Sequence, residues 1–146
     1  MPTIAPPRSI CLVNSTLAKP GGAEKNVALM ANFWARSGVG ITVLTFDDPF
    51  AQLFFELDAN VRLQPLDLAR RSGNPLAFLA NNVKRILALR RAIRKADPEV
   101  VISFIAAMNV LVLLACVGLE QKVIVCERSV PDLGHPGIEW VENGNY

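Results

Sequence analysis

The sequence predicts an α/β domain in three layers, in which helices cover both faces of a parallel sheet. Five short apolar runs, typical of buried parallel strands, alternate along the 146 residues with segments of helical periodicity. The connections between these runs are long enough for the crossovers that parallel strands require. Hydrophobic residues make up 51% of the chain and charged residues 19%, a balance that supplies a sizeable core and excludes general disorder.

The first half of the chain contains three of the strands and one helix. From residue 23 to residue 37 the apolar side chains recur at helical spacing, which indicates a helix with one apolar face. Gly38 then ends this helix, as a glycine in the left-handed conformation does. The apolar runs before and after it predict strands at residues 9–14, 40–46 and 61–66.

The second half supplies the remaining elements. Asn74-Pro75 opens a long helix to about residue 96, whose first part carries an apolar stripe of Leu76, Leu79, Val83, Ile86 and Leu87. A strand at residues 100–104, a helix at 107–117 and a strand at 122–127 follow. This count favours the sheet order 3-2-1-4-5, with a ligand crevice where strands one and four end. We expect residues 1–131 to form this domain and residues 132–146 to form an irregular tail.

One segment leaves an alternative open. Val100 to Leu119 is a run of 20 residues without a charge, which reaches the length of a membrane-spanning helix. Its first five residues are rich in β-branched side chains and follow Asp97-Pro98-Glu99, a signal that ends a helix and opens a strand. The pattern therefore favours a buried strand followed by a buried helix.

Cysteine usage indicates a reducing compartment. Cys11, Cys116 and Cys126 lie in separate apolar runs, without a C-x-x-C spacing. This pattern argues against a disulfide framework and against a zinc site, and no metal or cofactor is predicted. The first eight residues lack the apolar core of a signal peptide, so we expect a cytoplasmic protein.

Basic residues concentrate in one region of a chain whose formal net charge is only +2. Eight of the 15 lysines and arginines lie between Asp67 and Asp97, with no acid among them. Lys84, Arg91 and Lys95 share one face of the predicted helix. They indicate either a solvated helix surface or docking to anionic lipid headgroups at the inner face of the membrane. Nucleic acid is disfavoured, because the few aromatic residues are not interleaved with the basic ones.

The segment Pro20-Gly21-Gly22-Ala23-Glu24 lies between the first strand and the first helix. Two glycines at such a turn let the backbone approach a ligand closely, and free N–H groups at a helix start favour an anion. The alternative is a tight turn in which Glu24 stabilises the helix N-terminus. The sequence contains neither a G-x-G-x-x-G nor a Walker A motif.

Four segments together resemble the opening half of family-four GT-B glycosyltransferases. The Gly21-Gly22-Ala23-Glu24 turn and helix precede a Gly38-Val39-Gly40-Ile41-Thr42-Val43 strand, as in that family. Asp97-Pro98-Glu99-Val100-Val101-Ile102 resembles the family's fourth strand. Cys126-Glu127-Arg128-Ser129-Val130-Pro131 is similar to the Ser-Glu-Arg-x-x-Pro segment of its amino-sugar and undecaprenyl-pathway branch.

The resemblance implies one Rossmann-like half of a retaining enzyme that uses a nucleotide-diphosphate sugar. In such enzymes the N-terminal domain mainly binds the sugar or lipid-linked acceptor across a cleft from the donor domain. Gly21 and Gly22 would then offer backbone N–H groups to the donor diphosphate. The residues implied on the acceptor side are Asn109, Glu127, Arg128 and His135.

The sequence also departs from the family pattern. No pair of glutamates has the Glu-x7-Glu spacing of the donor domain, and no second sheet follows residue 131. We therefore expect a fragment or split subunit that is inactive alone. The alternative is a non-catalytic binding or regulatory subunit that recruits a donor domain.

Overall fold

A computed structural model describes residues 5–70 and 73–127 of the chain. Its five strands form one parallel sheet in the order β3-β2-β1-β4-β5. The elements in chain order are β1 (Ser9–Val13), α1 (Gly22–Arg36), β2 (Gly40–Thr45), β3 (Val61–Pro65), α2 (Pro75–Ala96), β4 (Val100–Phe104), α3 (Ala106–Cys116) and β5 (Lys122–Cys126).

The predicted fold class and sheet order are confirmed, whereas the expected tail at residues 132–146 lies outside the described residues. The sheet order is the predicted one, and each element begins and ends within one or two residues of its expected bounds. The uncharged run from Val100 to Leu119 is strand β4 followed by α3, a helix of only 11 residues. Within the described ranges, no helix has both the length and the apolar character needed to cross a membrane.

Helices cover both faces of the sheet because side chains alternate along each strand. On β1, Ile10 and Leu12 pack against α1, whereas Cys11 and Val13 pack against α2 and α3. The α1 side of the core also takes partly buried side chains from the loop between β2 and β3. The buried helix residues of that side are Val27, Ala31 and Ala35, and those of the opposite side include Leu89, Ile93, Met108 and Val112.

Local sequence signals account for the helix boundaries. Gly38 follows α1 with φ 84°, the left-handed conformation expected of it. Helix α2 begins where Asn74 Oδ1 accepts a 2.8 Å hydrogen bond from the backbone N–H of Ala77, and Pro75 occupies its first turn. The helix ends at Asp97, whose φ of 44° reverses the chain into β4.

The first half of α2 lies outside the core. Its first buried residue is Leu89, 14 residues after Pro75. Leu76 is 81% exposed and Leu79 is 63% exposed, and Val83 and Leu87 are exposed as well. An apolar stripe with helical periodicity ordinarily faces a core. Here only Ile86 of the five stripe residues packs against it.

The three cysteines are free thiols. Cys11 and Cys116 are buried in the same part of the core. Burial raises the pKa of the Cys11 thiol to about 12 and, to a lesser degree, the pKa of Cys116. Both side chains therefore act as small apolar core residues.

Candidate functional site

The candidate site lies at the carboxyl edge of the sheet, between β1 and β4. The chain leaves β1 toward α1 on one face and leaves β4 toward α3 on the other, so a crevice opens between the two connections. A cavity of about 300 Å³ lies in this crevice. It is lined by Ser15, Thr16, Lys19, Phe46, Ala69, Arg85, Ile105, Ala107, Met108 and Leu111.

The Gly21–Gly22 turn enters α1 without a side-chain cap. Gly21 is extended, with φ 179° and ψ 162°, and its carbonyl accepts the first helical hydrogen bond from Lys25. A Cβ on Gly22 would meet no atom within 4 Å, so this turn has open space beside its backbone. Within residues 5–70 and 73–127, no side-chain hydrogen bond caps this helix start. Its first N–H groups therefore remain available to an anion.

Glu24 occupies part of this helix start. A Cβ on Gly21 would overlap the Glu24 carboxylate, which therefore folds back across the turn. Position 21 requires glycine because a side chain there would collide with the Glu24 carboxylate, and not because its backbone angles are unusual. The acid also stabilises the positive end of the α1 dipole. Glu24 thus stabilises the helix N-terminus, which is the alternative interpretation of this segment.

A buried polar cluster supports the loop that leads to the turn. Asn14 is fully buried, and its Nδ2 donates to the Thr16 carbonyl at 2.8 Å and to Glu24 Oε1 at 3.4 Å. The Asp47 carboxylate accepts from Thr16 Oγ1 at 2.6 Å and from the Leu17 N–H at 2.7 Å. These bonds tie the loop after β1 to the end of β2 and fix the floor of the crevice.

Asn109 is buried at the same edge and bridges three elements. Its Oδ1 accepts a 2.7 Å hydrogen bond from Ser103 Oγ on β4, and its Nδ2 donates to the Cys126 carbonyl on β5 at 3.2 Å. The structure thus shows a structural role for Asn109. Contact between Asn109 and an acceptor stays a prediction.

Ile105, between β4 and α3, has a strained backbone. Its φ is 75°, a value that a β-branched residue rarely adopts. Its N–H donates to the Cys126 carbonyl at 3.1 Å, and its carbonyl accepts from the Asn109 N–H at 2.9 Å. The side chain lines the cavity. Strain of this kind persists only where the surrounding structure imposes it, and it is concentrated at functional sites.

Two cations in the cavity were not singled out by the sequence. Lys19 lies in the β1–α1 loop, and Arg85 reaches the cavity from α2. Sequence reasoning counted Arg85 only as one of eight clustered basic residues. Its helix position does not reveal that the side chain points under the loop after β3 and stacks on Phe46, 5.3 Å from the ring centre.

The remaining predicted site residues are only partly described. Glu127 follows β5 at the same edge of the sheet, where it is exposed and borders a shallow groove with Met30 and Phe104. Arg128 and His135 lie outside the described residues. Across residues 5–70 and 73–127, no group of three or more His, Cys, Asp or Glu side chains is placed to hold a metal ion.

The chain is similar in sequence to part of a known glycosyltransferase. Over 109 residues the chain is 27% identical to the GalNAc-alpha-(1->4)-GalNAc-alpha-(1->3)-diNAcBac-PP-undecaprenol alpha-1,4-N-acetyl-D-galactosaminyltransferase of Campylobacter jejuni. The match covers 75% of this chain but only 29% of that enzyme. No known family profile matches the chain.

Solved structures show the same fold. Sucrose-phosphate synthase from Thermosynechococcus elongatus superposes with a TM-score of 0.67 at 13% identity, over 84% of this chain and 33% of its own. A glycosyltransferase from Rickettsia africae superposes with a TM-score of 0.58 at 18% identity, over 80% of this chain and 28% of its own. The chain is thus similar to glycosyltransferases and has the fold of a GT-B domain, and it spans about a third of their length.

Proposed function

We propose that this chain is the acceptor-side domain of a retaining GT-B glycosyltransferase that takes its sugar from a nucleotide-diphosphate donor. The observation that carries the proposal is the crevice between β1 and β4, which holds a cavity of about 300 Å³ lined in part by the loop that leads to the Gly21–Gly22 turn. The similarity to an enzyme whose name includes an undecaprenol diphosphate supports a lipid-linked or polysaccharide acceptor. The proposal also includes membership of glycosyltransferase family four and a role in cell-envelope synthesis.

In this proposal the chain contributes positioning and not the reacting groups. The N–H groups at the start of α1 face the donor diphosphate and stabilise the charge that grows on it as the sugar leaves. Asn109, Glu127, Arg128 and His135 belong to the acceptor side of the cleft. The nucleotide and most of the leaving group bind the second domain, so this chain alone does not transfer sugar.

The Gly21–Gly22 turn can be tested in the full-length enzyme. Gly22→Val places a branched side chain where Gly22 has open space and thereby blocks close approach of a ligand to the backbone. Because no atom beyond its chain neighbours and its own helix backbone lies within 4 Å of that Cβ, and because valine has a higher helix propensity than glycine, the fold should survive. We expect sugar transfer to fall by at least a hundredfold, with the melting temperature little changed.

Gly73→Val is the matched control. Gly73 is also exposed and also has open space beside its backbone, but it precedes α2 and does not belong to the turn. This variant should keep the parent turnover. Unchanged turnover in a folded Gly22→Val enzyme would contradict the assigned role of the turn.

We further propose that α2 touches the cytoplasmic leaflet of a membrane. Its exposed face combines Lys84, Arg91 and Lys95 with the apolar stripe that the core leaves uncovered. The helix contains no acid. A helix with leucine and valine on one side and lysine and arginine beside them suits the boundary between anionic headgroups and acyl chains. Such contact would bring the crevice close to a lipid-linked acceptor.

A further inference from the structure

We infer that the crevice cavity binds a phosphate group through Arg85, with Lys19 as the second cation. This inference rests on the proposed function and deepens it, because it assigns that phosphate to the acceptor. The ligand class is a phosphate or diphosphate ester with an apolar or sugar portion beside it.

Arg85 is held in one orientation by neutral groups. Its Nε donates to the Leu68 carbonyl at 3.1 Å, and its terminal nitrogens donate to the Arg70 carbonyl at 3.0 Å and to Asn82 Oδ1 at 3.3 Å. The guanidinium also stacks over Phe46. Three of its five N–H donors are therefore used, and each terminal nitrogen keeps one N–H without a partner among the described residues.

Among the residues that the structure describes, no carboxylate forms an ion pair with Arg85. The two ion pairs formed within the described ranges are Arg8 with Glu99 and Arg36 with Asp58. A half-buried guanidinium ordinarily has an anionic partner, because desolvation of an unpaired charge is costly. A fixed fork with free N–H groups on both ends matches the geometry of a phosphate.

The cavity around Arg85 is suited to an anion. Lys19 also lines it, Ser15 and Thr16 add polar groups, and none of its lining residues in the described part of the chain is an acid. Two carboxylates lie nearby. Asp47 is occupied by Thr16 and the Leu17 N–H, and Asp67 lines a separate cavity of about 220 Å³ on the other side of Arg85.

The rest of the cavity wall identifies the kind of phosphate. Ile105, Met108 and Leu111 line the same cavity with apolar side chains. A free inorganic ion would leave these side chains unused, whereas a phosphate ester places carbon against them. The donor diphosphate is assigned to the turn before α1, so the phosphate in the crevice is that of the acceptor.

Titration calorimetry of the 146-residue chain tests the inference, with farnesyl diphosphate, inorganic pyrophosphate and UDP as probes. We expect farnesyl diphosphate to bind more tightly than pyrophosphate. Arg85→Gln should weaken both by about tenfold or more, and Lys19→Gln by several-fold, because each removes charge-assisted hydrogen bonds. Arg94→Gln, an equal charge change at an exposed position of α2, should stay within twofold of the parent.

Melting curves by circular dichroism verify that each variant is folded. If Arg85→Gln does not fold, Arg85→Lys keeps the charge but loses the fork, and it should still weaken binding. Equal affinities for the parent, Arg85→Lys and Lys19→Gln would overturn the site. Loss of UDP binding in Arg85→Gln, without loss of farnesyl diphosphate binding, would overturn the assignment of the Arg85 site to the acceptor phosphate.

A phosphate-free ligand separates this inference from the proposed function. An N-acetylgalactosamine oligosaccharide that binds while both diphosphates fail would overturn the phosphate site and leave the acceptor-side role standing. Failure of all these ligands would overturn both. Binding of farnesyl diphosphate that depends on Arg85 supports both.

Discussion

At the scale of single residues, hydrogen bonds at the end of the sheet decide what each polar side chain does. Asn109 shows this most clearly, because both ends of its amide are used within the fold. The sequence placed it correctly in the helix after β4. It could not show that the helix turns the amide back onto Ser103, six residues earlier, and across to β5.

Removal of the Asn109 amide should destabilise the domain. Asn109→Ala leaves the buried Ser103 hydroxyl without its acceptor, whereas the Cys126 carbonyl loses one of its two donors and keeps the Ile105 N–H. Because one buried polar group loses its partner, we expect the free energy of unfolding, measured by urea denaturation, to fall by about 1–3 kcal/mol. Asn60→Ala removes a side-chain bond at an exposed position and should cost under about 1 kcal/mol. A full-stability Asn109→Ala chain would instead favour a purely ligand-binding role.

For Arg85, by contrast, the sequence did not predict where the side chain lies. The sequence shows that basic residues concentrate between Asp67 and Asp97, but it does not show which of their side chains are partly buried. Three bonds to Leu68, Arg70 and Asn82 and the contact with Phe46 bring this one side chain to the crevice. Those partners come from separate parts of the chain and meet only in the folded sheet.

At the scale of elements, the sequence predicted the bounds of α2 but not what covers its apolar face. Its bounds follow from Asn74, Pro75 and the loss of helical pattern at Asp97. Periodicity shows that one face is apolar, yet it does not show what covers that face. With 22 residues against the 11 of α3, α2 extends over about 33 Å, and much of its stripe has no helix beside it.

The proposed membrane contact can be tested on this helix. Lys84→Gln, Arg91→Gln and Lys95→Gln together remove three cations, each of which contributes roughly 1 kcal/mol near an anionic surface. In co-sedimentation with vesicles of phosphatidylcholine and phosphatidylglycerol, we expect the partition coefficient to fall by about a hundredfold. Added salt should also weaken vesicle binding by the parent chain.

An equal charge change on other faces is the control for that triple variant. Lys25→Gln, Arg62→Gln and Lys122→Gln remove three exposed cations that lie outside α2. This chain should bind vesicles nearly as the parent does. Equal losses in both triple variants would show a general charge effect and not a membrane-docking helix.

At the scale of the whole molecule, topology places the site. Short apolar runs separated by crossovers allow few sheet orders, and the order 3-2-1-4-5 puts its reversal between β1 and β4. The location of the crevice was therefore predictable from strand count alone. The cavity lining was not, because it combines the β1–α1 loop, α2 and α3 through packing that no local pattern records.

The most direct test of the central claim is a nuclear magnetic resonance titration of the chain with a water-soluble N-acetylgalactosaminyl prenyl diphosphate, compared with UDP-N-acetylgalactosamine. The acceptor-side assignment predicts that the prenyl diphosphate shifts the amide signals around the crevice, above all those of Lys19, Ile105 and Asn109. The nucleotide sugar should bind much more weakly, because the proposal assigns its main contacts to a separate donor domain. Crevice signals that ignore the acceptor and respond only to the nucleotide sugar would contradict the account.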